Sequence, residues 1–295
     1  MDAQTDITIG EGRFRYRFRR DWARLPRWWN FGEAAEGRPP QTAVHGGVAA
    51  NGDVYVLARA AHPVTVFDGD GNFITSWGEG EFSPFVHGLR IAPDGTVWIT
   101  DSGNHTVKQF TPDGRKLRTL GVADSPAPTL YGNPFNMPTG VAFHPNGDMY
   151  ASDGYGNRRV HRFGADGTRK ESFGGPGTGP GEFAIVHFIE IDAQGRIYIA
   201  DRENQRIQVF DAEGRHLADW TGFDMPSDLA FGDGMIVVGG RDGLSIWTPE
   251  REPLARWDAD APHKGAFNIH GVWLDRQDNI FLAHFDRTVS KLTRI

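Results

Sequence analysis

Apolar and polar positions alternate along most of this chain, in short segments that are separated by turn sequences. The segments TVWIT, DMYAS and RIYIA alternate with a period of two residues, which is typical of half-buried β-strands. Turns such as APDG, HPNG and DAQG precede them, and Asp-Gly and Asn-Gly pairs favour tight hairpins. A third strand (TVKQF, RVHRF, RIQVF), a second turn and a fourth strand follow. The pattern therefore predicts repeats of four antiparallel strands.

These repeats predict an all-β fold, a six-bladed β-propeller. Their period of roughly 40–50 residues and their four strands match the blades of a propeller and not a helical solenoid. The last repeat reaches Ile295 after only three strands, whereas the stretch RFRYRFRR at Arg13–Arg20 is an unassigned strand. We expect this N-terminal strand to complete the last blade and close the ring. The six repeats open near Val48, Leu89, Val141, Ile189, Leu229 and Val272.

We expect residues 1–295 to form a single propeller domain, in which residues 1–40 supply the closing strand and a cover segment. A length of 295 residues is normal for a closed all-β ring and does not demand two domains. The cover segment contains Trp22, Trp28 and Trp29. We expect these side chains to pack as an apolar cover; stacking on a ligand is the alternative.

Composition and charge exclude several classes of function. The chain has 38 glycines and no cysteine, so it has neither a cysteine zinc site nor a thiol nucleophile. A net charge of −7 argues against a nucleic-acid surface, which needs clustered Lys and Arg. No segment approaches the roughly 20 apolar residues of a membrane span, and the N-terminus lacks the apolar core of a signal peptide. We therefore expect a soluble, cytoplasmic protein that binds neither nucleic acid nor membrane.

Three histidines occupy the same position in alternate repeats. His87, His187 and His270 each stand immediately before the first strand of a repeat. In a closed ring of six repeats, their imidazoles would point at one axis. Three imidazole ligands with an open fourth position are the pattern of a catalytic zinc site, so we predict that the three bind zinc or another divalent transition metal. The intervening repeats carry other residues in this column, namely Gly46, Thr139 and Ser227.

The other histidines and a recurring aspartate do not indicate a functional site. The remaining histidines have no such register, and we expect them to lie on the surface, among them His144, His161 and His216. An aspartate recurs at the end of the second strand in three repeats, where such a side chain caps the following loop by accepting backbone N–H groups. These aspartates are Asp101, Asp153 and Asp201.

The loop after the second strand should share one mouth of the ring with the histidines, because neighbouring strands are antiparallel. In this loop, Arg59 of the first repeat and Arg202 of the fourth repeat occupy equivalent positions. The same loop of the third repeat carries Tyr155. Arginine suits a carboxylate or another oxyanion, which it binds bidentately; an outward salt bridge is the alternative. Tyr155 could serve as a general base, or it could pack between loops.

The repeats resemble NHL repeats, and four stretches are similar to peptidyl-α-hydroxyglycine α-amidating lyase. The resemblance implies a six-bladed propeller that splits an α-hydroxyglycine amide into a primary amide and glyoxylate at a catalytic zinc. By position, the three histidines match the zinc ligands, Tyr155 in DGYGNRR matches the catalytic tyrosine, and Arg59 and Arg202 match the two active-site arginines. The four stretches are FVHGLRIAPDGTVWITDSGNHTVKQF, PTGVAFHPNGDMYASDGYGNRRVHRF, GEFAIVHFIEIDAQGRIYIADRENQRIQVF and FNIHGVWL.

The chain also departs from that family. The family's structural calcium would here use the backbone carbonyls of Val48 and Leu89, but the aspartate expected after the third histidine is Gly271. Gly156 replaces the cysteine that follows the catalytic tyrosine in the secreted enzymes, which is consistent with a reducing compartment. Asn268 replaces a methionine two residues before the third histidine, so the substrate wall should differ.

The leading hypothesis is a zinc-dependent carbon–nitrogen lyase acting on a small α-hydroxylated amide, or a related carbinolamine, that carries a carboxylate. A metal-dependent hydrolase, such as a lactonase, is the first alternative. Such propellers place carboxylates and asparagine around calcium, which the column of histidines argues against. The second alternative is a non-catalytic NHL binding module, which would give no reason for histidines in register.

Overall fold

The computed structural model describes residues 7–32, 42–127, 134–258 and 267–295. Within these ranges the chain is all-β, as predicted, and its helical segments are single 3-10 turns at Gly12–Phe14 and Arg202–Asn204. No helix in the described residues is long and apolar enough to cross a membrane.

The strands are numbered in chain order. Their bounds are β1 Ile7–Ile9, β2 Tyr16–Arg19, β3 Ala43–Val48, β4 Val54–Ala58, β5 Val64–Phe67, β6 Phe73–Trp77, β7 Val86–Ile91, β8 Val97–Asp101, β9 Thr106–Phe110, β10 Lys116–Leu120, β11 Gly140–Phe143, β12 Met149–Asp153, β13 Arg159–Phe163, β14 Arg169–Phe173, β15 Val186–Ile191, β16 Ile197–Asp201, β17 Arg206–Phe210, β18 His216–Trp220, β19 Pro226–Gly232, β20 Met235–Gly240, β21 Gly243–Trp247, β22 Pro253–Asp258, β23 Ile269–Leu274, β24 Ile280–His284 and β25 Val289–Arg294.

The strands form one sheet for each predicted repeat. Strands β3–β6, β7–β10, β11–β14, β15–β18 and β19–β22 each make a four-stranded sheet in chain order. The remaining sheet has the order β1-β2-β25-β24-β23. Sheets of this kind are the blades of a propeller, and the six-bladed fold predicted from the repeats is confirmed.

The N-terminal strand completes the last blade. In β2, Tyr16 pairs with Arg294 and Phe18 pairs with Leu292. Tyr16 and Phe18 are buried, while the arginines between and after them point the other way, which is why this basic stretch alternates with aromatics. Strand β1 then pairs with β2 and adds a fifth strand that the sequence pattern did not indicate.

The chain divides into two compact units, residues 1–77 with 229–295 and residues 78–228. In the first unit, strands β2, β20, β24 and β25 contribute to one apolar cluster, which includes Tyr16 and Leu282. In the second unit, strands of the third and fourth blades pack together through a cluster that includes Tyr150 and Phe210.

The three tryptophans of the expected cover segment differ in their surroundings. Trp22 is buried and lies 5.0 Å from Phe281 between ring centroids. Trp29 stacks on His62. Trp28, however, is 84% exposed, and its backbone has a positive φ of 74°. Residues 1–6 and 33–40 of the predicted cover segment lie outside the described residues.

The three strand-end aspartates hold loops together and are fully buried. Asp201 accepts hydrogen bonds from the backbone N–H of Ala184 before β15 and from the side chain of Asn204 after β16. Asp153 makes the same kind of connection to Asn136 and Asn157. Each carboxylate therefore joins the loop that precedes the first strand of a blade to the loop that follows the second strand.

The expectation that the other histidines lie on the surface is wrong for three of them. His45, His161 and His284 are buried, each at most 3% exposed. Their strands lie inside the blades, and two of the rings make hydrogen bonds there. His161 contacts Asp153 and Ser172, and Nε2 of His284 contacts the Ser290 hydroxyl. Burial lowers the pKa of His284 to about 4.

Candidate metal centre

His87 and His187 lie close together in the second unit. Each is the second residue of the first strand of its blade, β7 or β15. The pairing register shifts at this residue in both strands, and such a β-bulge re-aims a side chain that would otherwise follow the alternation of the strand. Both side chains are fully buried, and their ring centroids are 4.8 Å apart.

Backbone carbonyls fix the tautomer of both rings. The Nδ1 atom of His87 is 2.8 Å from the carbonyl oxygen of Thr139, and Nδ1 of His187 is 2.7 Å from that of Ser227. A carbonyl oxygen only accepts, so each Nδ1 carries the proton and donates it. The lone pair is then on Nε2, which is the arrangement that second-shell carbonyls give to metal-binding histidines. Both acceptors come from residues in the predicted column of the intervening repeats.

His270 is held in the same way in the first unit. It is the second residue of β23, at a register shift between Ile269 and Gly271. Its Nδ1 atom lies 2.8 Å from the carbonyl oxygen of Val44, so its lone pair is also on Nε2. The ring of Phe285 stands edge-on to the imidazole at 5.1 Å.

The first-repeat member of this column is Val44, and its assignment to Gly46 is wrong. Val48 pairs with Val54 at the end of β3 as Ile91 pairs with Val97 at the end of β7. Counting back from this common pair places Val44 opposite His87. The segment GGV favoured the wrong alignment because its glycine pair resembles the His-Gly pairs of the other repeats.

His87, His187 and His270 each offer one ring nitrogen as a ligand atom, and all three side chains are buried. Neutral imidazoles whose Nδ1 protons are held by carbonyls present the donor atoms that zinc and similar ions prefer. The three histidines could therefore hold a metal ion.

Tyr155 meets these histidines in the second unit. Its hydroxyl oxygen is 3.1 Å from Nε2 of His87, and its ring centroid is 6.0 Å from that of His187. Since Nε2 of His87 has no proton, the phenol donates this hydrogen bond. The loop that carries Tyr155 is fixed by a bond from the Gly156 N–H to the carbonyl of Asn136. The phenol oxygen thus lies beside a candidate ligand atom.

Arg202 lies beside the ring of Tyr155. The guanidinium carbon is 5.9 Å from the centroid of the Tyr155 ring. Its Nε and Nη2 atoms donate to Oε1 of Glu203, at 2.9 and 2.6 Å. Its own N–H bonds the carbonyl of Ile185, two residues before His187. Both interpretations of Arg202 therefore apply in part, since it lies beside Tyr155 and also forms a salt bridge with Glu203.

Arg59 follows β4 in the first unit and is 4% exposed. Its N–H donates to the carbonyl of Thr42, two residues before the Val44 carbonyl that holds His270. One short segment of the first blade therefore holds both Arg59 and His270. Val48 ends β3 in this unit, whereas Leu89 lies in β7, and the calcium site at their carbonyls remains a prediction from the resemblance.

Sequence reasoning missed two aromatic residues and a carboxylate near these groups. Phe85 lies 5.6 Å from the Tyr155 ring between centroids, and Phe285 contacts His270. Glu203 binds Arg202. The signal was present for two of them, since Phe85 stands two residues before His87 and Glu203 directly follows Arg202. Phe285 lies in a loop whose sequence does not repeat.

The sequence matches the family model of the NHL repeat at residues 85–110 and 183–210. It is 34% identical to NHL repeat-containing protein 3 of Homo sapiens over 211 residues, which are 66% of this chain and 60% of that protein. It is 36% identical to peptidyl-alpha-hydroxyglycine alpha-amidating lyase 1 of Drosophila melanogaster over 147 residues, 45% of this chain and 26% of that protein. The chain thus spans less than two thirds of the length of either relative.

A solved structure described as a streptogramin B lyase is similar to the fold. Its TM-score is 0.66 at 14% sequence identity, and the match covers 97% of this chain and all of that one. At this identity the likeness concerns the fold alone, and it agrees with the six-bladed propeller.

Proposed function

Since the chain is an NHL-repeat six-bladed propeller that resembles the peptidyl-α-hydroxyglycine α-amidating lyases, we propose that it is a zinc-dependent lyase. Its substrate would be an α-hydroxyglycine amide or a related carbinolamine, and its products a primary amide and glyoxylate or a similar carbonyl acid. One observation carries the proposal: the Tyr155 hydroxyl group lies 3.1 Å from Nε2 of His87, next to the side chain of His187.

His87, His187 and His270 would hold the ion through Nε2. A divalent ion bound there would supply Lewis-acid chemistry to the substrate. The protein's contribution is the fixed orientation of the rings, because each Nδ1–H donates to a backbone carbonyl in, or directly before, the first strand of the next blade. Orientation by outer partners of this kind raises metal affinity by about 10–100-fold.

Tyr155 is the base of the proposed reaction. When Nε2 of His87 binds an ion, it can no longer accept the hydrogen bond of the phenol. As a phenolate, the Tyr155 oxygen would then accept the proton of the substrate hydroxyl group, the C–O bond would become a carbonyl, and the C–N bond would break. The electron pair of the broken bond and one proton go to the amide nitrogen, which leaves as a primary amide. Phe85 packs beside the Tyr155 ring and helps keep water from it.

The arginines would bind the carboxylate of the substrate. Arg202 lies beside Tyr155, and its side chain is only 16% exposed, so a hydrogen-bonded ion pair with a ligand would be partly desolvated and strong. Arg59 is still more buried. This assignment makes the substrate a small molecule with a carboxylate next to the carbon that carries the hydroxyl group.

Two measurements test the proposal. Purified protein should contain about one equivalent of a divalent ion, as three imidazoles with an open position imply, and it should convert N-benzoyl-α-hydroxyglycine into benzamide and glyoxylate. Hydrolysis of lactones without release of glyoxylate would favour the hydrolase. Protein that contains no metal and turns over neither compound would favour a non-catalytic NHL module, the alternative to which the match with NHL repeat-containing protein 3 draws attention.

A further inference from the structure

Glu203 occupies the position in the fourth blade that Tyr155 occupies in the third. Asp153 ends β12 and pairs with Arg159, and Asp201 ends β16 and pairs with Arg206. Tyr155 and Glu203 each stand two residues after that aspartate. The repeat therefore places a carboxylate on the same loop position as the phenol, one blade away.

The Glu203 carboxylate holds the edge of Arg202 that a ligand would use. Both Nε and Nη2 of Arg202 donate to the single oxygen Oε1 of Glu203. That edge, with its two parallel N–H groups, is the one that recognises carboxylates bidentately. A carboxylate of a substrate and the carboxylate of Glu203 therefore compete for the same donors.

Hydrogen bonds hold the loop backbone, whereas the Glu203 side chain is partly exposed. The Asn204 side chain bonds Asp201 and the Gly177 carbonyl, and the Gln205 N–H bonds the carbonyl of Arg202. The side chain of Glu203 is 32% exposed. It can leave Arg202 by rotation, without any movement of the backbone.

We propose that Glu203 is a specificity-determining residue: an internal carboxylate that occupies Arg202 and is displaced by the carboxylate of the substrate. The inference rests on the proposed function for the role of Arg202 as the carboxylate-binding residue. The Arg202 and Glu203 side chains are 16% and 32% exposed, and an ion pair that is open to solvent on one side changes an equilibrium by up to about fivefold, or about 1 kcal/mol. Glu203 therefore weakens the binding of carboxylates by a factor of this size and favours ligands that bind through more than a lone carboxylate.

The test measures binding of glyoxylate, a small carboxylate, by titration calorimetry. E203Q should bind glyoxylate about three- to fivefold more tightly than the wild type, because the competing charge is gone. R202A should bind it more weakly than the wild type, and R202A/E203Q should show no gain over R202A. E213Q is the matched control, since Glu213 pairs with Arg215 at 3.4 Å in an exposed turn of the same sheet; its affinity for glyoxylate should equal that of the wild type.

Turnover separates this inference from the proposed function. Glyoxylate release from N-benzoyl-α-hydroxyglycine by the wild type tests the lyase, whereas the calorimetric comparison tests Glu203 and needs no turnover. Unchanged or weaker glyoxylate binding by E203Q would overturn the inference even if the lyase reaction occurs. A lower kcat of E203Q at unchanged glyoxylate affinity would also overturn it, since Glu203 would then orient Arg202 against Tyr155.

Discussion

Replacing Tyr155 by Phe removes one oxygen and keeps the ring. The contacts of the ring with Phe85 and with the Arg202 guanidinium remain available to phenylalanine. The hydrogen bond to Nε2 of His87 is lost. The substitution therefore isolates the hydroxyl group, which is the atom proposed to take the substrate proton.

This substitution should change stability and activity by different amounts. One hydrogen bond of a half-buried phenol contributes about 0.5–1.5 kcal/mol to stability, so the free energy of unfolding should fall by no more than that. Loss of a general base costs about 10²–10⁴-fold in rate, which is about 2.7–5.4 kcal/mol in activation free energy. Activity should therefore fall far more than stability.

Release of glyoxylate from N-benzoyl-α-hydroxyglycine is the assay, with metal content and thermal unfolding measured on the same preparation. Tyr150→Phe is the matched control, because Tyr150 lies in β12 of the same blade and its hydroxyl group donates to the carbonyl of Ala212 at 2.6 Å. It should lose stability but keep kcat. A Tyr155→Phe protein that retains its metal and at least a third of the wild-type kcat would refute the role of the phenol.

Three further predictions concern the metal, the carboxylate and pH. His187→Ala should lose the bound ion, measured by metal analysis, whereas His216→Ala, which removes a hydrogen bond between Nε2 and Asp219, should keep it. Arg202→Ala should lower kcat/KM for the acid about 10–100-fold more than for its methyl ester, as expected for loss of a charge-assisted pair; equal losses would mean that Arg202 acts on Tyr155 or on the fold. The pKa of about 4 for buried His284 lies below its unfolded value of about 6.5, so the unfolded state binds the proton first as pH falls. The protonation of His284 should lower the free energy of unfolding by about 3 kcal/mol between pH 6.5 and pH 4. Denaturant titrations of His284→Gln should lack this part of the decrease.

The blades could be predicted from sequence because period-two alternation and Asp-Gly or Asn-Gly turns are local signals. The pairing of β2 with β25 followed from a count of strands, since the last repeat had only three strands and the N-terminal strand belonged to no repeat. Strand β1 could not be predicted in the same way. Its three residues, Ile7–Ile9, are too few to show a period.

The candidate site was predictable as far as the repeats keep their register. The histidines, Arg59, Arg202 and Tyr155 all lie at fixed distances from a strand end, and counting along the sequence finds them. The β-bulges at the histidines and the carbonyls that fix their tautomers are backbone features, and residue types do not predict them. The salt bridge between Arg202 and Glu203 depends on rotamers, and the alternation of the sequence says nothing about them.

Strands β2 and β25, which pair through Tyr16 and Arg294, are synthesised at different times. At about 5–20 residues per second on the ribosome, β2 emerges tens of seconds before the strand with which it pairs. During that time β2, with its alternating aromatic residues, has no strand to pair with. An unpaired strand of this kind is a site for aggregation. The arginines that alternate with Tyr16 and Phe18 keep that waiting segment charged, so the same residues that build the closed blade also protect the nascent chain before closure.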